Sequence, residues 1–350
     1  MSLLTEKQIA IAAVRRACAL TSLVFNQLRQ NETLTKDDES PVTVGDFGSQ
    51  AVINTVLRHA FPDDPIVGEE DSAELRSDST EAVRHRIVEL VNRILTAPLQ
   101  PGENEQWGFG PERGLSTDEV MDMIDRGNYN GGSTGRLWTL DPIDGTKGFL
   151  RGGQYAVCLA LIIDSVVHLG VVGCPNLPLS ASNPSGPRGC IFVAVKDQGA
   201  FQFSLDDPFN PETAVPLHLP AMSTPENSCI LQSVGHTRLT VNDRVAQLLG
   251  WTMPPISMDS QAKYCSLSRG EGGVYLRLAG DLGYREKIWD HAPSAILIEE
   301  AGGVITDADG EPLNFGLGRS LENNYGIIAA GKDVHSRVLK AVKQVRAEGK

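Results

Sequence analysis

Aromatic residues are scarce in this chain of 350 residues, where Phe, Trp and Tyr together make up 6%. Proteins that bind single-stranded nucleic acid use aromatic side chains as platforms on which bases stack. The formal net charge is −13, so the chain has no diffuse positive field with which to attract a polyanion. We therefore expect no nucleic-acid partner. For a phosphorylated substrate, positive charge would have to come from bound cations or from a few directed Lys and Arg side chains.

Paired cysteines are also missing. The six cysteines form no C-x-x-C motif, and several of them lie inside apolar runs. Zinc sites and disulfide frameworks need paired or regularly spaced cysteines. We interpret these residues as reduced, mostly buried thiols of a cytoplasmic protein.

Long hydrophobic runs are absent as well. The longest apolar stretch, residues 155–163, is far shorter than the roughly 20 residues that cross a bilayer. Arg15 and Arg16 interrupt the apolar run near the start, which therefore lacks the form of a signal peptide. The sequence thus predicts no membrane partner, and we expect a monomer.

Hydrophobic periodicity predicts helices first and then mixed strands and helices, without an internal repeat. This order is typical of a layered α/β or α+β sandwich. We expect an N-terminal α+β domain over residues 1–175 and a C-terminal α/β domain over 176–350. The expected helices are 5–29, 47–59, 80–97, 239–249, 289–300 and 333–347. The expected strands are 136–140, 156–163, 166–172, 191–195, 200–203, 230–234, 274–278 and 326–330.

Residues 98–136 differ from the rest in composition, because Pro, Gly, Asn and Ser dominate there. One short helix is expected inside this segment, over residues 117–125. We interpret the whole segment as a long inserted loop or lid.

The most informative segment is 141–146, Asp-Pro-Ile-Asp-Gly-Thr, which follows an apolar strand. Gly145 permits a tight turn, so Asp141 and Asp144 can face one point. With the carbonyl of Ile143, these carboxylates would make the hard oxygen site that Mg²⁺ prefers. For the short motif alone, the ordinary alternative is an Asp-Pro turn in which Asp144 caps the next segment.

This segment resembles the signature of the inositol-monophosphatase-like, lithium-sensitive phosphatases. Two further landmarks stand in the same order as in that family, Val-Gly-Glu-Glu-Asp at 67–71 and Trp-Asp-His-Ala-Pro at 289–293. Together the landmarks span about residues 40–303. The resemblance implies the alternating layers of helices and sheets found in inositol monophosphatase and fructose-1,6-bisphosphatase, with the metal site between the two domains.

The resemblance also implies two to three Mg²⁺ ions and inhibition by Li⁺, and it leaves inhibition by Na⁺ open. The implied metal ligands are Glu69, Asp141, the carbonyl of Ile143, Asp144 and Asp290. Thr146 and Asp46 would orient and deprotonate the attacking water, and Asp46 with Glu69 would hold a third, weaker ion. For Asp46 alone, the ordinary alternative is an aspartate that caps a helix.

Three stretches narrow the resemblance to fungal-type 3′(2′),5′-bisphosphate nucleotidases, namely 42–50, 258–265 and the pair 274–277 with 286–291. This implies hydrolysis of 3′-phosphoadenosine 5′-phosphate to AMP and phosphate, and of 3′-phosphoadenylyl sulfate. The implied substrate-binding residues are Thr146, His236, Ser260, Lys263 and Arg277. A solvated lysine and a helix-capping histidine are the ordinary alternatives for Lys263 and His236.

Two other functions remain open at this point. An inositol (poly)phosphate phosphatase would share every metal ligand, and it would differ at Ser260, Lys263 and Arg277. A non-catalytic protein that binds phosphorylated metabolites would need the same site without turnover.

Overall fold

Sheets and helical layers alternate through the part of the chain that the structure describes. The computed structural model describes residues 3–27, 33–35, 41–110, 112, 114–207, 210–220, 224, 226, 228–234, 241–278 and 284–348. The order of layers is helices, a seven-stranded sheet, helices, a five-stranded sheet and helices. The predicted layered α/β architecture is confirmed.

The first helical layer packs on one face of the seven-stranded sheet. Its helices are α1 (Leu4–Asn26), α2 (Val44–Ala60), α3 (Glu81–Leu95) and α4 (Thr117–Asp125). Helix α2 lies at the centre, because every residue over 44–57 is buried. A helix buried on all sides belongs to the core. The helix begins three residues before the predicted start because Thr43 caps it.

The seven-stranded sheet has its strands in sequence order, and its first two strands are parallel. The strands are β3 (Ile66–Gly68), β4 (Arg136–Asp144), β5 (Ala156–Ile163), β6 (Val166–Pro178), β7 (Arg188–Val195), β8 (Ala200–Ser204) and β9 (Val215–Pro216). In β5, Val157 and Leu159 face the first helical layer, whereas Cys158 and Ala160 face the middle layer. This alternation is the period of two that a strand buried on both faces requires. A short hairpin, β1 (Thr33–Thr35) with β2 (Pro41–Thr43), precedes α2.

The middle layer separates the two sheets and carries part of the candidate site. It contains α7 (Ala262–Ser268) and α8 (Ala292–Glu300), and the short helix α5 (Thr146–Leu150) follows β4. The strands of the five-stranded sheet are β10 (Ile230–Gln232), β11 (Ile256–Ser257), β12 (Val274–Arg277), β13 (Gly303–Thr306) and β14 (Ile327–Gly331). Their order across the sheet is β11-β10-β12-β14-β13. Helices α6 (Val241–Leu249) and α9 (Lys332–Glu348) cover its other face.

Both predicted hairpins of the large sheet are confirmed. Strands β5 and β6 turn at Asp164 and Ser165, whose φ angles are 48° and 67°. Strands β7 and β8 turn around Asp197, with φ of 63°. Positive φ at two successive residues gives a turn whose twist matches the twist of the paired strands.

The segment over residues 98–136, expected as an inserted loop or lid, is irregular over most of its described part, and a lid role stays a prediction. Phe109 and Ile124 are fully buried, and α4 packs on α2 and α3 in the first helical layer. Helix α4 itself has the predicted bounds, with a capping box between Ser116 and Glu119. The Gly- and Pro-rich composition marks irregular backbone that is mostly exposed, and a few buried apolar side chains anchor it to the first helical layer.

The expected boundary between residues 175 and 176 falls inside strand β6. The large sheet continues through β9, and the next sheet begins at Ile230. The two sheets are therefore divided between residues 216 and 230. The assignment of two separate domains stays a prediction.

Helix α1 is long and apolar enough to cross a membrane by length and composition alone. Inside this fold, 67% of its most apolar window is buried. It contacts α2 and β6. All six cysteines are free and buried, as the sequence predicted.

Candidate active site

A β-bulge brings the carboxylates of Asp141 and Asp144 to the same side of strand β4. Asp141 pairs with Cys158 and Asp144 pairs with Ala156, so three residue steps on β4 match two on β5. In a regular strand, residues three apart point to opposite faces, and the extra residue of the bulge corrects this. Carboxylate oxygens of Asp141, Asp144 and Asp290 all lie within 4.8 Å of one another.

The turn after Asp144 depends on Gly145, which has a φ of 88°. A Cβ atom at this position would lie 2.9 Å from the Cβ of Ser260. The backbone of residues 144–146 can therefore approach the segment that carries Ser260 only with glycine here. This approach joins the large sheet to the helix α7 region.

Thr146 meets Asp46 directly after this turn. The Thr146 hydroxyl lies 3.3 Å from Oδ1 of Asp46 and 3.2 Å from the carbonyl oxygen of Ile143. The other oxygen of Asp46, Oδ2, accepts hydrogen bonds from the backbone N–H and the hydroxyl of Thr43, at 2.8 and 2.7 Å. Asp46 thus completes the capping box of α2 with one oxygen and faces Thr146 with the other.

Glu69 follows strand β3 and lies beside Asp141. The buried amide of Gln50 supports this turn, because its Nε2 donates to the Glu70 carbonyl at 2.6 Å and its Oε1 accepts from the Glu70 N–H at 3.1 Å. The same Nε2 donates to the carbonyl of Ile124 at 2.8 Å, at the end of α4. Gln50 lay within a stretch of recognised similarity, but nothing in the sequence showed that it would reach Glu70.

Gln261 connects Asp144 to the chain around Asp290. Its backbone N–H donates to Asp144 through a short hydrogen bond. Its side-chain Nε2 donates to the carbonyl of Trp289 at 2.9 Å, and its Oε1 accepts from the hydroxyl of Ser294 at 2.6 Å. The sequence did not single out Gln261, since its role depends on three segments that are distant in sequence.

The electrostatics of this carboxylate cluster favour a bound cation. Burial, and then the charges of Glu69, Asp144 and Asp290, raise the pKa of Asp141 well above its usual value. Burial raises the pKa of Asp290 too, with Asp144 adding to the effect, although Arg277 opposes it. Oδ1 of Asp141 is buried without a hydrogen-bond partner. A buried carboxylate oxygen without a partner, beside two other carboxylates, fits a hard cation such as Mg²⁺.

Two cationic side chains line the same cavity as the carboxylates, the buried Lys263 and the partly exposed Arg277. Lys263 is 3% exposed, and its Nζ donates to the carbonyl of Met258 at 3.0 Å. Burial lowers the pKa of Lys263 to about 8, although the charge of Asp144 acts to raise it. Arg277 donates from Nε to Oε1 of Glu286 at 2.7 Å.

Glu286 holds Arg277 as part of a chain of polar contacts. Its Oε2 lies 3.2 Å from Nε2 of His291, whose Nδ1 lies 2.8 Å from the hydroxyl of Tyr264. Burial alone would raise the pKa of Glu286, but contacts with His291 and Arg277 outweigh it and lower the pKa to about 2. The sequence placed Glu286 beside a recognised landmark but assigned it no role.

The cavity has a volume of about 270 Å³. Among the predicted site residues, the structure brings together in its walls Glu69, Asp144, Thr146, Ser260, Lys263, Arg277 and Asp290. Asp141, Ile143 and Asp46 lie directly behind this wall through the contacts above. Ser260 also accepts a hydrogen bond from the Ala262 N–H at 3.1 Å. The predicted residue His236 lies outside the described residues.

Comparison with known proteins decides the family. The family model described as "Inositol monophosphatase family" matches residues 3–347. The chain belongs to this family.

Members of the inositol monophosphatase family with curated names are similar to the chain over almost its whole length. A 3′(2′),5′-bisphosphate nucleotidase of Schizosaccharomyces pombe is 47% identical, over 99% of this chain and 98% of its own. A protein of the same name from Emericella nidulans is 44% identical, over 99% of each chain. A probable 3′(2′),5′-bisphosphate nucleotidase 4 from Arabidopsis thaliana is 39% identical over 97% of this chain and 95% of its own.

Solved structures of the family share the fold. An IMPase from Thermotoga maritima has a TM-score of 0.62 at 19% identity, over 99% of each chain. An inositol monophosphatase from Anabaena has a TM-score of 0.58 at 19% identity, over 98% of this chain and 96% of its own. At this identity the likeness concerns the fold alone. It confirms the family fold that the sequence motifs predicted.

Proposed function

We propose that the chain is a 3′(2′),5′-bisphosphate nucleotidase, a phosphoric monoester hydrolase that removes the 3′-phosphate of 3′-phosphoadenosine 5′-phosphate and of 3′-phosphoadenylyl sulfate. The relatives named above support this substrate class. The observation that carries the proposal is the composition of one cavity wall. It combines a cluster of carboxylates with two cationic side chains, the buried Lys263 and the partly exposed Arg277. A molecule with two phosphates can place one phosphate at the cation-binding carboxylates and the other at Lys263 and Arg277.

Two to three Mg²⁺ ions would be held by the carboxylate cluster. The ligands in this proposal are Glu69, Asp141, the Ile143 carbonyl, Asp144 and Asp290, with Asp46 and Glu69 for a third, weaker ion. When bound, Mg²⁺ supplies neutralising charge for the phosphate and the leaving oxygen, and it makes an attacking water more acidic. Li⁺ would inhibit by competing with Mg²⁺ for the carboxylate cluster. Inhibition by Na⁺ is to be measured in the same assay.

Asp46 and Thr146 would handle the proton of the attacking water. The Thr146 oxygen can accept a hydrogen bond from water while its own hydrogen is donated to Asp46 Oδ1, 3.3 Å away. Asp46 can then draw the proton through the hydroxyl as general base. The capping box holds Asp46 Oδ2 in place, so Oδ1 keeps its direction toward Thr146.

Lys263, Arg277 and Ser260 would bind the phosphate and ribose that stay on the product. Lys263 and Arg277 provide positive charge at the cavity in a chain whose net charge is −13. Charge-assisted hydrogen bonds to phosphate are stronger than those between neutral groups. His236 near the base or sugar remains part of this proposal, as do a monomeric state and a cytoplasmic location without nucleic-acid or membrane partners.

The test is phosphate release from 3′-phosphoadenosine 5′-phosphate, inositol 1-phosphate and inositol 1,4-bisphosphate, each with Mg²⁺ and with or without millimolar Li⁺. We expect a strong preference for the nucleotide, lost with Li⁺. Asp144→Asn, which removes one ligand charge while keeping its shape, should abolish turnover with the fold retained. The exposed Asp63→Asn serves as the matched control.

Each other outcome has a distinct meaning. A preference for an inositol phosphate would keep the metal cluster and overturn the roles of Lys263 and Arg277. Binding of the nucleotide without turnover of any phosphomonoester would favour the non-catalytic alternative. Normal turnover by Asp144→Asn would overturn the proposed metal cluster.

A further inference from the structure

Arg319 lies outside all three sequence landmarks, yet it contacts the segments that carry two of them. Its Nη2 donates to the carbonyl of Gly68, the residue directly before Glu69. Its guanidinium carbon lies 4.8 Å from the ring centroid of Trp289, the residue directly before Asp290. One side chain therefore touches the neighbours of two proposed metal ligands that are more than 200 residues apart in sequence.

A third segment meets the same guanidinium. Nη1 of Arg319 donates to the carbonyls of Gly127 and Tyr129, at 3.2 and 3.0 Å. These residues follow α4 and pair with β3, since Gly68 donates its N–H to the Gly127 carbonyl at 2.8 Å. Arg319 thus contacts both segments of this pairing, β3 and residues 127–129.

The backbone of Arg319 adds a further link to the Asp290 segment. Its carbonyl accepts a hydrogen bond from the N–H of Ile288 at 3.1 Å, and Ser320 forms a β-bridge with Lys287. Asp290 lies two residues after Ile288, at the end of a short 3-10 turn. The main chain and side chain of Arg319 therefore hold the turn that carries Asp290 and the turn that carries Glu69 in a fixed position relative to each other.

The planar guanidinium suits this task because it offers several fixed donors and a flat face for stacking. A lysine would keep the charge but could not donate along three fixed directions while stacking. Arg319 is half-buried, and its positive charge interacts with the negative charges of Asp71 and Glu69. Its charge therefore also offsets part of the negative charge on the Glu69 side of the site.

We propose that Arg319 is a positioning residue for metal binding, which sets the distance between the Glu69 and Asp290 segments through Gly68 and Trp289. This inference rests on the proposed function, because it concerns the same cation site. Residues that orient metal ligands change metal affinity when mutated, commonly by 10- to 100-fold.

The experiment measures Mg²⁺ binding to substrate-free protein by calorimetry, and independently by the rise of Tm with Mg²⁺ concentration. Arg319→Gln should raise the Kd for Mg²⁺ about tenfold or more. Arg319→Lys should recover only part of the affinity, whereas a role of charge alone would give full recovery. Arg319→Lys also keeps the inference testable if Arg319→Gln does not fold.

Arg346 provides the matched control. Its guanidinium carbon lies 5.0 Å from the ring centroid of Tyr325, and it donates to Asp309 at 2.6 Å, far from the carboxylate cluster in sequence and fold layer. Arg346→Gln should lower Tm without changing the Kd for Mg²⁺. A loss of Tm alone in Arg319→Gln, with the wild-type Kd for Mg²⁺, would overturn the inference. Absence of Mg²⁺ binding by the wild type would instead overturn the proposed function.

Discussion

The hydroxyl of Thr146 lies 3.3 Å from Oδ1 of Asp46, across a separation of 100 residues in sequence. Oδ2 of the same carboxylate completes the capping box with Thr43. The ordinary interpretation of Asp46 as a helix-capping residue and the proposed chemical role therefore do not compete, since each uses a different oxygen. The fixed end of helix α2 orients the oxygen that faces Thr146.

Asp46→Asn should lower kcat by about 100-fold or more, because the amide cannot draw a proton through Thr146. The amide oxygen can still accept the hydrogen bond from the Thr43 N–H, so helix α2 should remain capped. The measurement is steady-state turnover of the nucleotide together with thermal unfolding. Thr146→Val should give a loss of similar size, and the double variant should lose little more because the two residues act as a unit.

A second capping box supplies the control for this pair. In α4, Oε2 of Glu119 accepts from the N–H and the hydroxyl of Ser116, both at 2.8 Å. Glu119→Gln changes the same kind of contact away from the cavity. It should lower Tm only slightly and leave kcat unchanged. If Asp46→Asn behaved like Glu119→Gln, the proposed proton path would be wrong.

Lys263 should impose an alkaline limit on binding of the nucleotide. Burial lowers its pKa to about 8, so the free enzyme loses the ammonium charge as pH rises through that value. Because phosphate binding needs the charged form, kcat/KM for the nucleotide should fall about tenfold per pH unit above pH 8. Lys263→Arg keeps its charge throughout and should remove this fall.

Lys147 is the matched control, since it lines the same cavity but is exposed. Lys147→Arg should retain the fall above pH 8. Persistence of the fall in Lys263→Arg would assign it to another group and remove the support for Lys263 as a phosphate ligand.

Asp141 should destabilise the metal-free protein at neutral pH. Burial and the neighbouring carboxylates raise its pKa in the folded state, so the folded protein holds this proton to higher pH than the unfolded chain does. Its contribution to stability is therefore present below the unfolded pKa, about 3.8, and is lost as pH rises through the folded pKa. Metal-free Asp141→Asn should accordingly have a higher Tm than wild type at pH 7.5, and the gain should vanish at low pH.

Saturating Mg²⁺ should reverse the order, because the wild type gains a bound cation that the variant binds poorly. Thermal unfolding with EDTA and with Mg²⁺, at several pH values, measures both effects. A lower Tm for metal-free Asp141→Asn than for wild type at pH 7.5 would contradict the prediction.

Local geometry alone predicted one part of the site, and the family resemblance supplied the other predicted residues. The turn over residues 141–146 carries its carboxylates within one motif, and a single β-bulge is enough to align them. Gln261, Glu286 and Arg319 act through contacts between distant segments, which no spacing in the sequence reveals. The layered fold followed from periodicity, because strands buried on both faces read as continuous apolar runs.

The role of residues 98–136 does not follow from the sequence for a related reason. Gly, Pro and Asn indicate where the backbone is irregular, but they do not show whether a segment packs against the core. Isolated apolar residues such as Phe109 decide that, and they become informative only once the surface they contact is known.

Gly127 tests whether the 98–136 segment supports the metal site. A Cβ atom there would lie 2.6 Å from Nε2 of Gln50 and 3.2 Å from Cα of Gly68. Gly127→Ala must therefore displace the amide that holds the Glu70 backbone. We expect a loss of about 1–3 kcal/mol in unfolding free energy from this overpacking, together with weaker Mg²⁺ binding.

Gly114 lies in the same segment and has room for a side chain, since the nearest atom to an added Cβ is Oδ1 of Asn92 at 3.9 Å. Gly114→Ala should change the unfolding free energy by no more than about 0.5 kcal/mol and leave Mg²⁺ binding as in wild type. A mobile lid would tolerate both substitutions and respond in kcat, through the opening step, rather than in stability or metal affinity. Equal stability and equal Mg²⁺ affinity of the two variants would therefore favour a mobile lid. A deficit confined to Gly127→Ala would establish this segment as the packed support behind Glu69.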